Sequence, residues 1–146
     1  MARYLVVAHQ TAGSAQLVER VGELAKADQD AEFVLLVPAT PVEHLLTWVE
    51  GEARAIAQRT LEAARAELER AGARVVGGSV GDESPVMAVA DELQHRRADY
   101  DAIVICTFPA GISRWLGLDL PHQVERRFHL PVIHVVAQRQ PSATAR

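Results

Sequence analysis

Short unbroken apolar runs alternate with segments of helical period along this chain, and that rhythm predicts its architecture. Tyr4 to Ala8 is a Val-rich run without polar interruption, as expected of a strand covered on both faces. His9-Gln10-Thr11-Ala12-Gly13-Ser14 follows as a polar loop, with Ser14 placed to cap a helix. Leu17, Val18, Val21, Leu24 and Ala25 then recur at helical spacing, which predicts a helix from Ala15 to about Ala27. Phe33 to Val37 is a second buried strand, with Pro38 expected to end it because proline has no N–H for a ladder.

Pro41 to Gly51 interrupts the rhythm, since Leu45, Leu46, Trp48 and Val49 suit either a half-turn packed on the surface or a lid. A long helix is predicted from about Glu52 to Ala71, with Ile56, Ala57, Leu61, Ala64 and Leu68 as its apolar stripe and Gly72 as a left-handed stop. Arg74-Val75-Val76 reads as a third strand, weakened by Gly77-Gly78 and extended by Ser79-Val80. Ser84 and Pro85 predict the cap and first residue of a helix whose buried side is Val86, Val89, Ala90 and Leu93. Ala102 to Ile105 is a fourth strand; a Pro- and Gly-broken loop, a helix entered through Pro121, and a fifth strand at Val132 to Val136 follow. The predicted fold is an α/β, three-layer, open parallel sheet of Rossmann type. It occupies residues 1–138 as one domain, with a polar tail at 139–146 and no internal repeat.

Composition narrows the function. At 49% hydrophobic and 23% charged, the chain has globular values, which set aside disorder and a membrane class. A net charge of −4 argues against nucleic-acid binding, which needs a concentrated basic face. The single cysteine, Cys106, permits no intrachain disulfide and suits a reducing compartment. No apolar run reaches the length of a signal peptide or a membrane span, so a cytoplasmic protein is expected. His44, His95, His122 and His134 have no ligand spacing with Cys106, and no metal site is predicted. In a parallel α/β sheet, ligands sit where a strand's carboxyl end leads into a helix, which places the candidate site around the loop after the fourth strand.

Three stretches carry a family likeness: the Gly81-Asp82 turn into a Pro-started helix, Ala98-Asp99-Tyr100-Asp101-Ala102-Ile103-Val104-Ile105 feeding the fourth strand, and Leu130-Pro131-Val132-Ile133-His134-Val135. With the order of elements, they make the chain resemble the universal stress protein family of the nucleotide α-hydrolase-like superfamily, from about Arg3 to Val136. The last stretch is similar to that family's Cys-Pro-Val strand, with Leu130 in the Cys place. The resemblance implies strand order 3-2-1-4-5, a crevice between strands one and four, an adenine nucleotide such as ATP as ligand, and a homodimer through strand five. The family-equivalent crevice positions are Val7, His9, Val37, Ile105, Cys106, Pro109, Gly111, Ser113, Leu118, Asp119 and Leu120. The implied dimer strand is Val132, Ile133, His134, Val135 and Val136, which is apolar enough to leave an exposed edge in need of cover.

The phosphate motif of ATP-binding relatives is Gly, two residues, Gly, nine residues, Gly, then Ser or Thr. Here Cys106 and Pro109 stand at the first two glycine positions, and Leu118-Asp119 falls on the last pair in a loop one residue shorter. His9 replaces the acid expected to hold ribose hydroxyls. Proline removes a donor, leucine adds bulk, and a carboxylate at ~4–5 Å repels a phosphate by ~1 kcal/mol even in water. The predicted crevice has therefore lost the standard ATP mode.

Each candidate also has a plainer reading. Asp119 is either an N-cap of the last helix or a ligand group. His9 could pair with Asp119 in proton transfer or ligand binding, or fill a disused pocket. Cys106 is an inert packed thiol or, beside a cationic His9, a reactive one. Thr11, Thr107 and Ser113 are nearby hydroxyls, and Ser113, His9 and Asp119 can be written as a triad, although no Gly-x-Ser-x-Gly elbow exists. Arg114-Trp115 could stack on a base, and Arg126, Arg127 and His129 add positive charge. The leading expectation is a non-enzymatic stress-response binding module without the standard ATP mode. The alternatives are a nucleotide-binding member with an altered phosphate loop, in which Gly111, Ser113 and Arg114 take part, and a small hydrolase or thiol enzyme using His9, Cys106 and Asp119.

Overall fold

A computed structural model describes residues 2–40, 50–94, 96–109 and 119–138. In chain order its elements are β1 (Arg3–Val7), α1 (Ala15–Ala27), β2 (Glu32–Pro38), α2 (Glu50–Arg70), β3 (Arg74–Gly81), α3 (Pro85–Leu93), a short 3-10 turn (Arg97–Asp99), β4 (Ala102–Thr107), α4 (Leu120–Phe128) and β5 (Val132–Val136). The five strands form one sheet in the order β3-β2-β1-β4-β5, with every pairing parallel. This is the α/β Rossmann-like arrangement expected from the alternating pattern.

The two-residue period of the strands sorts their side chains into two cores. Val6, Phe33, Leu35, Val37, Val104 and Val135 point to one face, where Leu17 and Val21 of α1 and Ala57, Leu61, Ala64 and Leu68 of α2 cover them. Leu5, Val7, Leu36, Ile103 and Ile105 point to the other, against Ala88, Val89 and Leu93 of α3 and Leu120 and Val124 of α4. Helix starts follow the sequence closely. Ser14 accepts from the Leu17 N–H at 3.2 Å, and Ser84 accepts from Met87 N–H ahead of Pro85. At the far end of α4, Arg97 donates to the Phe128 and His129 carbonyls at 2.6 and 3.0 Å, meeting acceptors the helix leaves open.

The strand ends match the pattern, and one helix start moves. Pro38 is the last residue of β2, as expected, paired with Gly81, and beyond it the Ala39 N–H reaches the Gly81 carbonyl at 3.0 Å. β3 runs through Gly77-Gly78 and Ser79-Val80 to Gly81, eight residues in all, with an irregular register opposite Phe33 and Val34. The glycines serve packing: a Cβ on Gly78 would stand 2.9 Å from Leu61 Cδ1, and one on Gly81 only 2.7 Å from Ala88 Cβ. The long helix begins at Glu50, two residues ahead of the position read from its stripe. The Pro41 to Val49 part of the ambiguous segment and the tail 139–146 lie outside the described residues.

The two β3 glycines on the α3 face differ in the space they have, which gives a direct test of packing. Gly81→Ala should cost about 1–3 kcal/mol, because the Ala88 backbone sits behind the clash and cannot swing aside. Gly77→Ala, whose Cβ would meet only Val34 Cγ1 at 3.9 Å, should be neutral or stabilising by ~0.5 kcal/mol. Urea unfolding midpoints of the two variants measure the difference.

Candidate functional site

The sheet opens between β1 and β4. Their pairing ends at Val7 with Ile105, yet β4 runs on through Cys106 and Thr107 beside Val135 and Val136 of β5. Neighbouring strand ends stay laced beyond their pairs: Ala8 N–H donates to Leu36 at 3.3 Å, and Ala137 N–H donates to Thr107 at 2.7 Å. Across the β1–β4 gap the described link is a side chain, the Thr11 hydroxyl donating to the Cys106 carbonyl at 2.9 Å. The gap exists because α1, after β1, packs on one face of the sheet, while α4, after β4, packs on the other.

His9 stands two residues past the last β1–β4 pair. Its carbonyl accepts from Ala12 N–H at 3.0 Å, and Ser14 N–H then reaches the Thr11 carbonyl, so two turns carry the chain into α1. The imidazole is buried, with 6% of its surface exposed, and neither ring nitrogen has a hydrogen-bond partner. A buried polar group left without a partner costs ~1–3 kcal/mol. Burial lowers the His9 pKa from its ordinary 6.5, opposed in part by its own backbone and that of Thr40. His9 is therefore held neutral near pH 7.

The remaining candidates divide sharply. Val7, Val37, Ile105, Cys106 and Leu120 expose no surface and pack in the two cores, Val37 and Cys106 on the α1 side, the other three on the α4 side. Pro109 is half-buried just past β4. Gly111, Ser113 and Leu118, with Arg114 and Trp115, lie outside the described residues. Cys106 has its thiol 3.8 Å from the Ser14 hydroxyl, and burial pushes its pKa up against the pull of Thr11 and Ser14. Such a thiol is packed and protonated, unlike a thiolate nucleophile.

Asp119 occupies the residue before α4 but does not cap it. Its backbone is left-handed, at φ 55° and ψ 41°, and its side chain makes no capping hydrogen bond. The carboxylate instead pairs with His122 Nδ1 at 2.8 Å, and both side chains are largely exposed. Asparagine and aspartate tolerate this conformation, and Pro121 leaves the first turn one donor fewer to satisfy. Of the two readings of His9, the pair with Asp119 is thus not made, and the triad that depends on it lacks that link. His122 also helps burial lower the pKa of His134, whose Nε2 shares a 2.8 Å hydrogen bond with the buried Thr107 hydroxyl. That Thr107–His134 link was beyond sequence reasoning, because nothing local relates two residues on adjacent strands. Among the described residues, no group of three or more His, Cys, Asp or Glu side chains could hold a metal ion. His44 and His95 lie outside them.

On β5, Val135 is nearly buried, Val132 and Ile133 are half-buried, and His134 and Val136 are exposed. The strand forms one edge of the sheet. Among the described residues, no helix is long and apolar enough to cross a membrane.

His9 ties protein stability to pH. The folded imidazole resists protonation, whereas the unfolded one titrates near 6.5, so the unfolded chain binds more protons below that value. The His9 contribution is therefore intact above about pH 7 and is lost as pH falls through 6.5 toward the depressed folded value. Urea midpoints should drop between pH 7.5 and 5.5, and His9→Leu should flatten that slope. An equal slope in the variant would assign the acid sensitivity elsewhere.

No protein-family model matches the chain, and no curated protein matches it. Solved structures do. A universal stress protein family member from Burkholderia pseudomallei superposes with a TM-score of 0.63 at 17% identity, covering 93% of this chain and 96% of that one. The universal stress protein from Archaeoglobus fulgidus in complex with dAMP superposes at 0.60 with 18% identity, covering 92% and 97%. A universal stress protein family protein from Arabidopsis thaliana with AMP bound superposes at 0.58 with 14% identity, covering 99% of each chain. With the sheet order and the parting of β1 from β4, these superpositions establish that the chain has the universal stress protein fold.

Proposed function

We propose that the chain is a non-enzymatic, universal stress protein-like binding module in stress adaptation. Its ligand site is the gap between β1 and β4, and the ligand class is an adenine mononucleotide rather than a triphosphate held in the standard ATP mode. The observation that carries this reading is His9, buried at the carboxyl end of β1 beside that gap, with neither ring nitrogen hydrogen-bonded. Solved structures of the same fold hold dAMP, cAMP and AMP, which supports the ligand class. The restriction to short phosphates rests on Pro109, which has no N–H to offer, and on the exposed Asp119 carboxylate ahead of α4. A packed, protonated Cys106 and an Asp119 engaged by His122 favour binding over thiol or hydrolytic chemistry.

Isothermal titration of the purified chain decides the point. AMP or cAMP should bind in the micromolar range, with ATP at least tenfold weaker. ATP binding as tightly as AMP would overturn the restriction, and no adenine nucleotide binding at all would overturn the ligand class.

The same reading includes a cytoplasmic homodimer formed through β5. Val132 to Val136 is an apolar edge without lysine or proline to guard it, and Val136 is 43% exposed there. Val136→Lys should shift a dimeric species toward monomer in sedimentation equilibrium while leaving the circular dichroism spectrum unchanged. A wild-type chain that stays monomeric at high micromolar concentration would refute the dimer.

A further inference from the structure

The gap between β1 and β4 contains a group whose charge state a ligand would have to change. His9 is enclosed at the carboxyl end of β1, its two nitrogens unpartnered, at a place where general α/β topology puts ligands. The groups around it are uncharged or engaged. Thr11 donates to the Cys106 carbonyl, and the Cys106 thiol is held protonated by burial beside Ser14. On the β2 side, the Thr40 hydroxyl donates to the Glu83 carbonyl. On the α4 side, Asp119 faces His122. Among the described residues no charge acts on the imidazole; burial lowers its pKa, and the backbone at His9 and Thr40 partly opposes that.

We infer that the ligand enters this gap through an anionic group, a phosphate monoester in the class proposed above, and that its binding draws one proton from solution onto His9. The inference rests on the proposed ligand site. A neutral imidazole has one donor and one acceptor; an imidazolium has two donors, which suits an anion with several acceptor oxygens. Among the described residues flanking the gap, no lysine or arginine is present to neutralise an anion, and His9 is the buried group there that can become a cation. The N-terminus of α1 opens at the same end of the sheet and favours negative charge. No covalent bond forms or breaks: a solvent proton moves to the imidazole, and the ion pair replaces two unmet hydrogen bonds. Affinity for an anionic ligand then rises as pH is lowered from 8 toward 6.5, a range in which a carboxylate at this position would stay ionised and produce no such change.

The test is titration of the full chain with AMP at pH 7.5 in two buffers of different ionisation enthalpy. The difference in heat should report uptake of a large fraction of a proton per AMP, and His9→Gln should abolish that uptake. The AMP phosphate's own protonation is common to both proteins and cancels. In the wild-type chain, the His9 imidazole C–H resonance should titrate at higher pH with AMP than without it, a readout that does not depend on the variant folding. AMP binding without proton uptake, uptake unchanged in His9→Gln, or an unmoved His9 titration would overturn the inference while leaving the binding function standing. Failure of AMP to bind would instead remove the function and this inference together.

Discussion

Two neighbouring parallel strands cannot stay laced to their tips when the helices that follow them cover opposite faces of the sheet. That constraint shapes this molecule. β1 must turn toward α1, and β4 must pass on beside β5 before its chain reaches α4. Backbone groups at the parting point lose the ladder partners that the other strand ends retain. The Thr11 hydroxyl bridges part of the gap, and His9, buried at the end of β1, leaves its own nitrogens unsatisfied. The least satisfied polar group of the described core therefore stands where topology separates two strands.

The rest of the sheet secures that opening. Both faces are packed, so β1 and β4 are held from above and below by cores that share no side chains. Aliphatic residues at 0% exposure sit immediately before the gap on both strands. A loop displaced at this end would have to uncover them, at ~25 cal/mol per Å² of apolar surface. The open end is thus carried on a rigid base, which is how a binding site keeps its geometry.

Charge is distributed to match. The described ends of β1 and β4 lack a fixed cation, and the Asp119 carboxylate ahead of α4 is exposed and pairs with His122. Ion pairs such as Arg20–Glu23 and Arg70–Glu67 lie on exposed helix faces, where each contributes ~0–1 kcal/mol and none bears on the gap. Burial, rather than any charged partner, sets the character of the gap, leaving an imidazole and a thiol both neutral. The electrostatics at this end of the sheet are particular to this chain.

The sequence by itself determined the succession of elements, the caps at Ser14 and Ser84 and the parallel two-faced sheet. These follow from local patterns: uninterrupted Val-rich runs, helical stripes, and cap residues whose chemistry acts within a few positions. For His9 the sequence left two readings open, a pair with Asp119 or a filled pocket, and the unpartnered ring nitrogens exclude the pair. Only the tertiary structure decided that Asp119 turns to His122, that Thr107 meets His134, and that Leu120 is sealed in the core. The packing role of the β3 glycines was hidden for the same reason, since Leu61 and Ala88 approach them from other elements. Hydrogen bonds and close packing between residues far apart in the chain depend on backbone angles and burial fixed by the whole fold, and no local pattern encodes them.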